Sequence, residues 1–185
     1  KYKISKPFVI YTGSVYPHKN VERLIQSIEL LNNKKLTLVI SCARNVFWER
    51  LKNKIQKLGA EEFINLVGFV PDEELAVLYT QAEAFVFPTL SEGFGLPGLE
   101  AMACGCPVIC SDIPVLREIY GEAAEYFDPL NPEDMAEKIE GVISDKKMRD
   151  ALIEKGLEQV KKYSWQKMAE ETSKVYKEST THPQV

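Results

Sequence analysis

The chain holds 185 residues, 45% hydrophobic and 27% charged, with a net charge of −4, an ordinary mix for one soluble domain with a sizeable core. The acidic balance, with lysines spread over helical patterns instead of clustered, argues against nucleic acid as a partner. No apolar run approaches the ~20 residues of a membrane span, no secretory leader is visible, and the chain opens at Lys1 without a Met, so it reads as a piece of a longer protein; nothing suggests a disulfide framework, so a cytoplasmic location is expected.

Short β-branched or aromatic runs alternate with helical patterns. A first strand is predicted over residues 8–12, FVIYT. The loop GSVYPHKN (13–20) follows, then a helical stripe at Val21, Leu24, Ile25, Ile28 and Leu31 with Asn20 placed to cap it. Next come a strand over 36–41, a helix from Val46 that stops at Gly59, and a strand over 63–68. A further helix opens at Pro71 and Asp72, residues suited to a helix start. The fourth strand, 84–88, runs through the loop TLSEGFG (89–95) into the helix LPGLEAMAC. Strands over 107–111 and 123–127 complete the set, and beyond 131 the pattern is helical to about Glu178, with breaks near Asp145 and Ser164. The tail from 179 reads as frayed, giving one domain over 1–180 and a disordered remainder over 181–185.

The strands are almost continuously apolar, as in a parallel sheet covered on both faces. Strand and helix alternating throughout predict an α/β, doubly wound, Rossmann-like domain with a six-stranded parallel sheet and a helical C-terminal segment. In such sheets ligands bind beyond the carboxyl ends of the strands, where strand order reverses. For the order 3-2-1-4-5-6 that point lies between strands 1 and 4, so the loops 13–20 and 89–95 line the expected crevice.

The second loop carries GFGLPG, Gly93–Gly98, a match to G-x-G-x-x-G. Gly93 and Gly95 let the backbone turn sharply and approach a ligand. Pro97 fits the first helical turn, whose free N–H groups suit a phosphate. A nicotinamide fingerprint places this loop after the first strand, whereas here it follows the fourth. Glu92, directly before the glycines, is awkward beside a dinucleotide's pyrophosphate and sensible against hydroxyls. Glu100 stands on a helix of small and apolar residues, where a carboxylate needs partners, either a backbone N–H or a vicinal diol such as a ribose. Paired acids also serve glycoside hydrolysis, but these two share one short segment. Lys19, on the opposite loop, is a point charge for phosphate, with His18 beside it. The cysteines, Cys42, Cys104, Cys106 and Cys110, lack the paired spacing of a metal site and read as small thiols around a helix-to-strand turn.

Taken together, these residues resemble the donor-binding C-terminal domain of the retaining glycosyltransferases of family 4, the group 1 domain of the GT-B fold. The resemblance spans roughly residues 6–178 and is sharpest in the E-x7-E motif from Glu92 to Glu100 within SEGFGLPGLEAMACGCPVICSD. YTGSVYPHKNVERLI and NLVGFVPDEELAVLY match the family's first loop and third-strand region. The resemblance implies glycosyl transfer from a UDP-, GDP- or ADP-sugar with retention, no cofactor and no obligatory metal. It implies that Glu92 contacts the donor sugar while the backbone of Gly93, Phe94, Gly95 and Leu96 approaches the diphosphate and sugar. Glu100 would bind the ribose, Lys19 would neutralise the diphosphate, Gly13 would admit the donor to strand 1, and Phe69 and Val70 would flank the base. Leaving-group charge stabilisation by a helix start and Lys19 fits this chemistry. Ser14 departs from the arginine common at that position, with His18 a partial replacement, and Ser41-Cys42 departs from a common glycine. The N-terminal acceptor-binding half is absent from this chain, so the glycan or lipid-linked acceptor and any peripheral membrane association belong to the full-length protein. A nucleotide-sugar epimerase, a nicotinamide-dependent dehydrogenase domain and a non-enzymatic sugar-nucleotide module are the alternatives that ligand titration separates.

Overall fold

A computed structural model of the chain describes residues 1–31 and 35–181. The elements, in order, are β1 (Phe8–Thr12), α1 (Val21–Leu30), β2 (Thr37–Ser41), α2 (Val46–Leu58), β3 (Ile64–Gly68), α3 (Asp72–Gln81) and β4 (Ala84–Phe87). They continue as α4 (Leu96–Ala103), β5 (Val108–Ser111), α5 (Pro114–Tyr120), β6 (Ala124–Phe127), α6 (Pro132–Ser144), α7 (Lys146–Val160) and α8 (Trp165–Thr181). Each strand lies within one residue of its predicted bounds.

The six strands form one parallel sheet in the order β3-β2-β1-β4-β5-β6. Its centre is β1 and β4, paired through Val9 with Ala84 and Ile10 with Phe85. Every residue of β1, β4 and β5 is buried, which explains their unbroken apolar runs. On α1, Val21, Leu24, Ile25 and Ile28 of the predicted stripe are buried, while Leu31 lies just past the helix end and is half-buried. α1 packs against α6, while α4 packs against α3 and α7.

Three expectations need correction. α5 has no counterpart among the helices read from the sequence, because seven residues behind Pro114 are too few to display a period. Asn20 precedes α1 but makes no side-chain cap, and its backbone is left-handed (φ 58°). Its amide is drawn away by other loops, as described below. α8 continues to Thr181, past the predicted end near Glu178. The rest of the predicted tail, 182–185, lies outside the described residues. The predicted breaks are present, and Asp145 caps α7 by accepting from the Lys147 and Met148 N–H groups.

Candidate functional site

The reversal of strand order puts the loops after β1 and β4 side by side. Backbone carbonyls accept most of the bonds that join them. The carbonyl of His18 accepts from Leu90 N–H at 2.7 Å and from Thr89 Oγ1 at 3.4 Å. Asn20, only 5% exposed, reaches further. Its Nδ2 donates to the carbonyls of Pro88 (3.0 Å) and Pro129 (2.7 Å), and its Oδ1 accepts from Arg23 (2.8 Å). One buried amide thereby ties the loops after β1, β4 and β6. Burial pushes the hydroxyl of Tyr11 well above the usual tyrosine range, so it stays a donor, and it holds the Ser14 carbonyl at 2.5 Å.

Lys19 ends a short 3-10 turn, Pro17–Lys19, and its side chain crosses to Glu92 on the facing loop. Its Nζ lies 5.6 Å from the centre of the Phe87 ring at the end of β4. The ammonium donates to both carboxylate oxygens of Glu92, at 2.9 Å for Oε2 and closer for Oε1. The two side chains are only 15% and 14% exposed. The cation assigned to a diphosphate and the carboxylate assigned to sugar hydroxyls are therefore partners of one another, across 73 positions of sequence.

From Glu92 the chain passes Gly93 and Phe94 to Gly95, the residue before α4, at φ 98°, where a side chain is strained. The N–H groups of Phe94, Gly95 and Leu96 have no hydrogen-bond partner among the described residues. With the helix dipole behind them they form an anion-ready surface at the crevice. Tyr120, at the end of α5, fixes this start by donating to the Gly95 carbonyl at 2.5 Å. Phe94 and Leu96 are exposed, and Phe94 meets Tyr163 edge-on at 5.6 Å.

Glu100 differs from expectation. α4 buries Gly98, Leu99, Ala101 and Met102, but turns Glu100 outward, where it caps no backbone group. Partial desolvation, then the charge of Asp72 at the start of α3, hold its carboxyl above the ordinary glutamate range. That coupling also locates the β3–α3 loop. Val70 is buried there and Phe69 stands 71% exposed. Gly13 leaves β1 at φ 132°, its N–H bonded to the Ser41 carbonyl at 3.1 Å, and the His18 ring is exposed and stacked on Tyr16. The four cysteines are free thiols, and among the described residues no group of three or more His, Cys, Asp or Glu is placed to hold a metal ion. No helix among them is long and apolar enough to cross a membrane. Asn20, Thr89 and Tyr120 went unread as site-building residues because their bonds are made only by the tertiary fold.

The sequence and the fold are similar to those of known proteins. The model of the family described as glycosyl transferases group 1 matches residues 2–159. The chain belongs to that family. It is 35% identical over 181 residues to O-antigen chain mannosyltransferase B of Escherichia coli, an alignment covering 96% of this chain and 48% of that protein. Among solved structures it is similar to sucrose-phosphate synthase from Thermosynechococcus elongatus (TM-score 0.85, 25% identity, 95% of this chain and 46% of that one). It is also similar to the C-terminal domain of the glycosyl transferase group 1 protein LpcC from Francisella tularensis (TM-score 0.73, 26% identity, 85% and 86%). The chain thus spans about half the length, or less, of the curated relatives it matches. Within this group 1 domain, Glu92 and Glu100 bracket the loop and the first turns of α4.

Proposed function

We propose that this chain is the donor-binding half of a retaining glycosyltransferase. It would hold a nucleotide-sugar for transfer to a glycan or lipid-linked acceptor bound by the rest of the protein. The observation that carries the reading is the meeting of Lys19 and Glu92 beside the unpaired amides that open α4. A cation and a helix start together suit a diphosphate, whose charge grows as the glycosidic bond breaks. Glu100, exposed on α4 and without a hydrogen-bond partner among the described residues, suits the two hydroxyls of a ribose, which its ionised form would accept. Mannose is the sugar favoured, because O-antigen chain mannosyltransferase B is a relative aligned over nearly all of this chain. Retention rests on the family resemblance, and no metal or cofactor enters the reading.

Calorimetry with GDP-mannose, UDP-glucose, ADP-glucose and NAD tests it. One nucleotide-sugar should bind more tightly than NAD, and tighter NAD binding would sink the reading. Lys19→Ala should weaken the matching nucleoside diphosphate about tenfold or more while sparing the nucleoside. That difference should shrink as salt rises. Equal losses for both ligands would remove Lys19 from the phosphate site.

A further inference from the structure

The Lys19–Glu92 pair does more than mark the site. Within this chain the Lys19 cation is paired bidentately with Glu92, and both side chains are largely out of water. A diphosphate reaching Lys19 must take the place of a carboxylate. We propose that Glu92 and the donor's diphosphate compete for the Lys19 ammonium, and that this exchange makes the site prefer the sugar-bearing nucleotide to the nucleoside diphosphate left after transfer. The inference rests on the donor-site reading above.

The argument concerns what becomes of Glu92. Separating a poorly solvated ion pair is unfavourable unless both charges find new partners. When the ligand carries a sugar, Lys19 turns to the diphosphate and Glu92 turns to the sugar hydroxyls, so both are satisfied. When the ligand is the bare nucleoside diphosphate, Lys19 gains a partner and Glu92 loses one. No second cation pairs with Glu92 among the described residues, and Ser14, on the same loop as Lys19, adds no charge. The product is thereby held against a competing carboxylate that the donor itself employs. Glu92 acts as a specificity residue that favours departure of the spent nucleotide.

The test is a double-mutant cycle read by calorimetry, with inorganic pyrophosphate as a probe that needs neither base nor sugar. Glu92→Gln should tighten pyrophosphate binding at least about fivefold, the water-screened value for one nearby unit charge. Lys19→Ala should abolish that gain in the Lys19→Ala/Glu92→Gln double variant. The ratio of affinities for nucleotide-sugar over the matching nucleoside diphosphate should fall at least about tenfold in Glu92→Gln, through loss of a charge-assisted bond to the sugar. Glu92→Ala is the second variant should the amide disturb the loop, and it should move both readouts in the same directions. Pyrophosphate binding unchanged or weakened in Glu92→Gln would overturn the exchange. So would a gain that persists without Lys19. An unchanged ratio with tight nucleotide-sugar binding would sink the exchange alone, whereas no binding of any nucleotide-sugar to the wild-type chain would sink the functional reading with it.

Discussion

Glu100 carries two opposed demands, and pH separates them. Desolvation and the Asp72 charge raise its pKa in the folded chain, while a bound diol, donating two hydrogen bonds, favours the ionised form. Nucleotide affinity should be complete above the raised pKa and fall as pH drops through it, at values above the ordinary glutamate range. Glu100→Gln should flatten that profile and weaken nucleotide binding about tenfold or more. The stability sign is opposite. A carboxyl with a raised folded pKa binds more protons folded than unfolded, so its ionised form costs stability, and that cost is relieved as pH falls through the folded pKa. Glu100→Gln should therefore leave the melting temperature at neutral pH unchanged or higher while binding is lost, and a lowered melting temperature with unchanged affinity would return Glu100 to a structural role. The placement of Lys19 and Glu92 on the loops after β1 and β4, and of Glu100 on the helix that follows, is legible because spacing and loop position are properties of the sequence. Their pairing is not, since the contact of Lys19 with Glu92 exists only once β1 and β4 lie side by side.

Among the elements, α4 is the one whose start opens the site, and Tyr120 holds that start. Tyr120 is fully buried and donates to the Gly95 carbonyl. A methyl group on Gly98 would press into the Tyr120 ring and hydroxyl well inside van der Waals contact. Gly98→Ala raises helix propensity in isolation, yet here the tyrosine has no free volume to enter. The overpacking should cost about 1–3 kcal/mol, which for a chain of this size lowers the melting temperature by roughly 2–12 °C. Nucleotide affinity should fall with it, because α4's unpaired amides move when Gly95 moves. Combining Gly98→Ala with Tyr120→Phe should give less than the summed losses, as expected of groups in contact. Neither Tyr120 nor α5 was legible in sequence. The helix is one turn and three residues beyond it, and the match between a helical glycine and a distant phenol leaves no periodic trace.

At the scale of the molecule, the sheet order was readable because alternating strands and helices admit few parallel arrangements, and the two unusual loops fell at the reversal point. The last helix obeys a different logic. α8 has an amphipathic pattern, and its apolar side chains include Trp165, Met168, Val175 and Tyr176. All four are exposed, and so is every described side chain of the helix. Periodicity reports that a face is suited to burial, not what buries it. Within this chain the face adds little apolar burial, and burial is what stabilises most helices in proteins. The domain proper closes one step earlier, at Tyr163, whose hydroxyl donates to the Ile119 carbonyl at 3.0 Å and whose ring meets Phe94. A chain ending after Ser164 should therefore keep the sheet, the Lys19–Glu92 pair and the Tyr163 contacts. Its melting temperature should stay within about 3 °C of the full chain, equivalent to less than about 1 kcal/mol at this size. Calorimetric melting of the two chains decides the matter: a drop of 6 °C or more on truncation would show that α8 is integral to this domain's stability. A chain ending after Lys162 should by contrast lose the Tyr163 bond and melt measurably lower, since a net contribution of about 1 kcal/mol attaches to a single buried hydrogen bond.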